Sequence, residues 1–276
     1  GQGVDLADLR EYQYHDDVRH IDWNVTARLS IPHVREFIED RDLNAWFLLD
    51  LSPSIDFGSQ RRKREVSEAF VAVMASLVLR PGNRAGAVLY GNAIDPVLPA
   101  KSGRMHVLHL MQRMRARSAA SAGGTTRLAD LIERARPSMK RRSAVFVVSD
   151  FISESGWEAS MSRLAQRHDV VAVRLFDPLE MQLPELGMVL MQDAETGEQI
   201  FVDTGAHGFR ERFEAAAARR EDELRNALAR AGVDTLELPT DADLGDSILA
   251  FVEARRQRSR LAAGALPLQN RRRGAA

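Results

Sequence analysis

The sequence predicts an α/β fold: a mostly parallel sheet with helices on both faces, preceded by an irregular amino-terminal extension. Two observations carry this. The runs NAWFLLDLS (44–52) and SAVFVVSDF (143–151) are short, almost wholly apolar and closed by an acid, the pattern of strands buried on both faces. Helical periodicities alternate with these and with further strand-like runs, and strand–helix–strand spacing implies crossovers and parallel pairing.

Each element follows in order. After the strand at 44–52, residues 61–80 place Val66, Phe70, Val73, Met74 and Leu77 at helical spacing, and PGN stops the helix. RAGAVLYG is the next strand and DPVLPA a short extended piece. Residues 104–115 read as a helix with Met105, Leu108, Met111 and Gln112 periodic. A Ser/Ala/Gly loop runs through GGTT into a helix at 127–136, then the strand at 143–151, a helix at 157–167 and the strand DVVAVRLFD. GMVLMQDAETGEQIFVDT reads as a hairpin turning near Glu195-Thr196-Gly197. A charged helix at 208–231, the strand GVDTLELPT and a helix at 243–260 complete the chain.

This divides the chain into an amino-terminal segment packed on the domain (1–40), the α/β domain (41–260) and a basic, flexible tail (261–276). Of the 276 residues, 45% are hydrophobic and 28% charged, enough apolar content for a core without staples. No cysteine is present, which removes disulfides, thiolate metal sites and cysteine nucleophiles and fits a cytoplasmic protein. No apolar run reaches the roughly 18 residues of a membrane span, and GQGVDLADLR is not a signal peptide. The chain opens on Gly1, so membrane association is expected only through an upstream anchor. Net charge is −1 but uneven: residues 1–40 hold nine acids against four Arg, and 253–276 hold seven Arg against Glu253. Without interleaved aromatics the Arg-rich tail reads as solvated, and no nucleic-acid partner is expected.

Ligands of open α/β sheets collect beyond the carboxyl ends of strands, where strand order reverses. Asp50 and Asp150 both close apolar strands. The spacing D-x-S-x-S lets one turning loop aim Asp50, Ser52 and Ser54 at a point, and Thr125 lies in a glycine-rich loop entering a helix. Two carboxylates and three hydroxyls are hard oxygen donors, suited to Mg²⁺, Mn²⁺ or Ca²⁺. Singly, each has an ordinary structural explanation: a strand-end acid, a chance spacing, a Thr helix cap. Together, in this order, they read as a metal site: Asp50, Ser52, Ser54, Thr125, Asp150. Few carboxylates leave such an ion able to take an acidic residue of a partner.

The arrangement resembles the metal-ion-dependent adhesion site of von Willebrand factor A domains, with Pro53 where that family usually has Gly. A second block, LREYQYHDDVRHIDWNVTAR (9–28), is richer. Arg10, Arg19 and Arg28 among Glu11, Asp16, Asp17 and Asp22, with Tyr12 and Trp23, read first as a structural ion network and second as a partner-binding patch. His15, His20 and His33, like His106 and His109, match no ligand spacing and read as surface or hydrogen-bonded histidines. The block is similar to the signature of the bacterial DUF58 family, departing at His15, where Gly is common. That resemblance spans roughly residues 3–175. It implies a von Willebrand factor A-like domain working beside a MoxR-type AAA+ ATPase, as an adaptor or chaperone-like assembly factor that delivers a client protein.

The rival reading is a Mg²⁺-dependent phosphohydrolase using the strand-end carboxylates. The expectation is against an enzyme. Ser52 stands where a D-x-D-x-[TV] nucleophile motif needs its second Asp, and neither G-x-x-x-x-G-K-[ST] nor G-x-S-x-G occurs.

Overall fold

A computed structural model of the protein describes residues 4–11, 33–39, 43–78, 82–91, 93–116, 126–192 and 197–264. The chain divides into two compact units, Gly1–Leu43 and Asn44–Ala276.

In the first unit, β1 (Val4–Glu11) pairs antiparallel with β2 (His33–Glu39), in a register running from Val4 opposite Glu39 to Glu11 opposite His33. The sequence reading of an irregular extension is corrected here. The register shifts between Leu6 and Asp8. That irregularity breaks the period-two alternation of Val4 and Leu6 before Leu9, so the run does not read as one strand.

The second unit is built on a six-stranded sheet. Its elements are β3 (Asn44–Asp50), α1 (Lys63–Val78), β4 (Arg84–Tyr90), β5 (Leu98–Lys101), α2 (Arg104–Ala116), α3 (Leu128–Ala135), β6 (Ala144–Ser149), α4 (Trp157–Ala165) and β7 (Asp169–Phe176). A separate antiparallel hairpin follows, β8 (Met188–Gln192) with β9 (Gln199–Asp203), then α5 (His207–Ala231), β10 (Asp234–Pro239) and α6 (Leu244–Gly264). The sheet order is β10-β7-β6-β3-β4-β5, parallel throughout except for β5, which lies antiparallel on the edge.

Both faces of the sheet are covered, which is why its strands are continuous apolar runs. Phe47 and Leu49 of β3 face a core with Val66, Phe70 and Ala75 of α1 and Leu110 and Met114 of α2. Trp46 and Leu48 face the opposite core, with Leu131 and Ile132 of α3, Trp157 and Met161 of α4 and Leu228 of α5. Trp46 also explains Gly86. The two are directly opposite in the β3–β4 register, and a Cβ on Gly86 would lie 2.9 Å from the indole ring.

Two helix faces differ from the periodicities expected. On α2 the buried positions are Leu110 and Met114, with Val107 and Met111 beside them, whereas Met105 is 77% exposed and Leu108 is also exposed. On α1, Val73 points outward and Val71 and Ala75 are buried. In each helix two overlapping apolar stripes exist, and docking on the sheet selects one. Helix α6 continues to Gly264, past the expected domain end at 260, and the rest of the Arg-rich tail lies outside the described residues. Among the described residues no helix is long and apolar enough to cross a membrane.

The chain leaves β3 through α1 to β4 and β5 on one side, then returns past β3 to β6, β7 and β10 on the other. The strand order therefore reverses between β3 and β6. The crevice beyond their carboxyl ends is the position such a sheet offers to a ligand.

Candidate functional site at the β3–β6 switch point

Asp50 ends β3 and is fully buried. Its Oδ1 accepts a hydrogen bond from the Ser52 amide (3.0 Å) and its Oδ2 one from the Ser149 hydroxyl (2.6 Å). The chain then turns through a short 3₁₀ segment, Pro53–Asp56, with Ser52 as its N-cap. Pro53 occupies the first position of that turn, where its missing N–H costs nothing and its φ suits the turn. This accounts for Pro53 where A domains usually have Gly. The buried Leu51 and Ile55 anchor the loop, and the Ser52 and Ser54 hydroxyls stand 3.2 Å apart.

Asp150 is the first residue after β6. Its Oδ1 accepts from the Ile152 amide at 3.0 Å. Between them Phe151 has φ 61°, the left-handed region that a bulky residue rarely enters. Its ring packs against Trp157, the centroids 5.3 Å apart. The turn also brings the Phe151 amide to the Ser149 hydroxyl (2.9 Å), which relays to Asp50. Backbone outliers of this kind cluster at functional sites.

The other Asp150 oxygen is taken by a group the sequence reading missed. Lys63, the first residue of α1, is completely buried and donates to Asp150 Oδ2 and to Glu180 Oε1, both at 2.7 Å. Burial alone would lower the Lys63 pKa, but the charges of Asp150 and Glu180 outweigh it and raise the value, so the ammonium is charged. Glu180 belongs to the turn Pro178–Glu180 after β7, and its other oxygen accepts from the Asp177 amide in a reciprocal capping box. The buried Asp177 in turn accepts from the amides of Leu179 and Ser59 and the hydroxyls of Ser59 and Thr240. Burial would raise its pKa, yet these hydrogen bonds together hold it below the ordinary value. The loops after β3, β6 and β7 are thus tied by one polar network.

Asp50 behaves oppositely. Burial first, then the charge of Asp150, push it up from 3.8 to about 6, against the hydrogen bonds from Ser149 and Ser52. A carboxylate whose charge is disfavoured by burial and by a second carboxylate is what a cation relieves. Each oxygen of Asp50 and Asp150 accepts one of the hydrogen bonds described, so acceptor capacity remains beside the two serine hydroxyls. The donor set fits a hard divalent cation, with Lys63 already offsetting one negative charge. Among the described residues there is no group of three or more His, Asp or Glu that could hold a metal. Such an ion would rest on two carboxylates and hydroxyls.

The structure brings Asp50, Ser52, Ser54 and Asp150 to one sheet edge. Thr125 lies outside the described residues. Its neighbour Thr126 is buried, and its carbonyl accepts from the Glu154 amide and the Ser153 hydroxyl, joining this loop to the one after Asp150. Of the amino-terminal candidates, Arg10 is a β1 residue opposite Val34 and Glu11 is exposed at the strand end. Tyr12, Asp16, Asp17, Arg19, Asp22, Trp23 and Arg28 lie outside the described residues. His106 is structural, its Nε2 2.7 Å from the Ala85 carbonyl.

One signal for Lys63 was present. It lies three residues before Val66 and seven before Phe70, on the buried stripe of α1. In the run RRKRE it reads instead as one more solvated cation. Glu180 and Ser149 carry no local signal at all.

The chain is 35% identical over 260 residues to the Mycobacterium tuberculosis "Uncharacterized protein Rv1480", covering 93% of this chain and 81% of that protein. It is 26% identical over 151 residues to "Uncharacterized protein YeaD" of Bacillus subtilis, covering 54% and 35%. Among solved structures, the conserved hypothetical protein BatB from Bacteroides thetaiotaomicron matches with a TM-score of 0.51 at 15% identity, covering 79% of this chain and 99% of that one, a likeness of fold. The VWA domain of SpRpn10 matches with a TM-score of 0.40 at 14% identity, covering 75% and 93%. Residues 8–223 match the family described as "Protein of unknown function DUF58", and the chain belongs to that family.

Proposed function

We propose that the chain is a metal-dependent protein-binding adaptor or assembly factor that acts with a MoxR-type AAA+ ATPase, presenting a client protein to it. The single observation that carries the reading is the meeting of Asp50 and Asp150 at the switch point, where burial and Asp150 push Asp50 up to about 6. Ser52 and Ser54 add hydroxyl donors on the same loop, and Thr125 joins them on sequence order alone. A Mg²⁺, Mn²⁺ or Ca²⁺ ion there supplies a positive charge that an Asp or Glu of a partner completes. The chain's own residues position that ion: the Ser52 amide and Ser149 hydroxyl orient Asp50, and Lys63 orients Asp150. Membership of DUF58 supports the ATPase partnership, through the family resemblance of the 9–28 block. The reading places the protein in the cytoplasm, acting on proteins and not on nucleic acid.

Titration of Mg²⁺ and Mn²⁺ into wild type and Asp50→Asn, followed by capture of the MoxR-type ATPase with and without metal, tests this. Wild type should take up the ion and retain the ATPase only when metal is present, and Asp50→Asn should do neither. Equal binding of ion and ATPase by both proteins would show the reading to be wrong. A Mg²⁺-dependent phosphohydrolase is the second reading, favoured by two buried strand-end carboxylates, Asp50 and Asp150, which could hold the ion against a phosphate. Phosphate release from simple phosphoesters that is lost in Asp50→Asn would select it.

A further inference from the structure

The β8–β9 ribbon is inserted between β7 and α5, outside the six-stranded sheet. Side chains alternate across a two-stranded ribbon, so each strand contributes every second residue to a face. One face holds Val189, Met191 and Val202, half-buried or buried, with Ile200 at its edge. The other holds Met188, Leu190 and Phe201, which are 66%, 50% and 74% exposed, with the exposed Asp203 opposite Met188 at one end and Gln192 and Gln199 at the other. Leu190 and Phe201 are directly opposite in the register, and Met188 is two residues along the same face. A polar solvent face would be ordinary here. An exposed cluster of Met188, Leu190 and Phe201 is not, because large apolar side chains grouped on a monomer surface mark interaction sites.

The surroundings say what would cover it. From Met181 to Phe209 the chain carries five acids, Glu185, Asp193, Glu195, Glu198 and Asp203, and no Lys or Arg; Arg210, next along the chain, pairs with Glu185. Asp203 and Glu198 lie on or beside the ribbon, with Glu185 just before it. Anionic membrane and nucleic acid are repelled by such a rim, and a cationic partner is attracted. Size narrows the choice further. Two five-residue strands present a face of only a few hundred Å², below the roughly 800 Å² per partner of a stable protein–protein interface. A short segment fits; a second folded copy does not.

We propose that this face docks an amphipathic basic segment of another protein, its apolar side chains on Met188, Leu190 and Phe201 and its Lys or Arg side chains against the acidic rim. The apolar stripe sets the register and the charges speed encounter, the division of labour seen when amphipathic helices enter apolar grooves. This surface is separate from the Asp50–Asp150 site and does not depend on a metal.

The test uses the intact chain and two labelled 18-residue peptides with Leu at helical spacing, one otherwise Lys/Arg and one otherwise Glu. Fluorescence anisotropy should show the basic peptide binding at least tenfold more tightly than the acidic one. Leu190→Ser/Phe201→Ser should lose at least tenfold of that affinity, with an unchanged thermal midpoint because both residues are exposed. Met105→Ser, a control at an exposed apolar residue of α2, should lose none. Equal binding of the two peptides, or binding untouched by the double substitution, would overturn the proposal. So would a concentration-dependent dimer abolished by the double substitution, which assigns the face to a second copy. Preferential binding to phosphatidylserine vesicles, lost in the same variant, would overturn it in favour of a membrane.

Discussion

Lys63 Nζ lies 2.7 Å from Asp150 Oδ2, and neither side chain has appreciable contact with solvent. A lysine therefore shares the carboxylate assigned to the candidate metal site. Removing one partner of a buried pair strands the other charge, at a typical cost of about 3–5 kcal/mol. Lys63→Met is expected to lose stability on that scale in urea unfolding. The double variant Lys63→Met/Asp150→Asn should lose clearly less than the sum of the single effects. With a divalent ion at Asp50 and Asp150, Mn²⁺ should raise the thermal midpoint of Lys63→Met more than that of wild type. Additive single effects would show that the pair is not coupled.

The Asp50 carboxyl gives stability a pH dependence of definite sign. Its folded pKa, about 6, lies above its unfolded value near 3.8. Between these values the folded state holds a proton that the unfolded state has lost. Its contribution is therefore full below about pH 4, falls as pH rises to about 6, and is absent above that. Two pKa units correspond to roughly 3 kcal/mol. In metal-free buffer, the stability of wild type relative to Asp50→Asn should fall by an amount of this order from pH 4 to pH 7. Parallel curves for the two proteins would contradict the assignment.

Asp177 works in the opposite direction. Its folded pKa is lowered by Thr240, Ser59 and Leu179 despite burial, so its contribution is present above the unfolded value and lost as pH falls below it. Thr240→Val removes one hydrogen bond to this carboxylate and should cost about 1.5–3 kcal/mol at pH 7. The deficit should shrink in acid unfolding experiments below pH 4. A deficit independent of pH would place the effect in packing.

Gly86→Ala tests the close approach of β3 and β4. The added methyl meets the Trp46 ring at 2.9 Å, and overpacking of this kind costs typically 1–3 kcal/mol. Trp46→Phe should recover part of the Gly86→Ala loss, measured by thermal denaturation as the cost of Gly86→Ala in the wild-type and Trp46→Phe backgrounds. No recovery would place the strain in the β4 backbone.

Ser52→Ala removes a hydroxyl from the candidate ion site while leaving the Ser52 amide on Asp50. Stability should change by under about 1 kcal/mol. Mn²⁺ affinity, read by calorimetry or electron paramagnetic resonance, should drop severalfold. Unaltered affinity would remove Ser52 from the ligand set.

The α/β architecture was legible because NAWFLLD and AVFVVS are apolar on both sides of the strand, and only a doubly covered sheet satisfies that pattern. The helical faces were less so: α1 and α2 each carry two overlapping stripes, and contact with the sheet chose Val71 over Val73 and Leu110 over Leu108. The amino-terminal strands were hidden by the register shift between Leu6 and Asp8.

By itself the sequence determined the sheet, its two covered faces and the two acids that end β3 and β6, since burial pattern and chain punctuation are local properties. Only the tertiary structure decided what those acids meet. Lys63 and Asp150 are 87 residues apart, Lys63 and Glu180 117, and Asp50 and Ser149 99. A charge looks solvated in a basic run such as RRKRE until sheet order places it against a carboxylate. Strand order between β3, β6 and β7 is set by how helices stack on both faces, so the polar network at their carboxyl ends exists only in the assembled sheet.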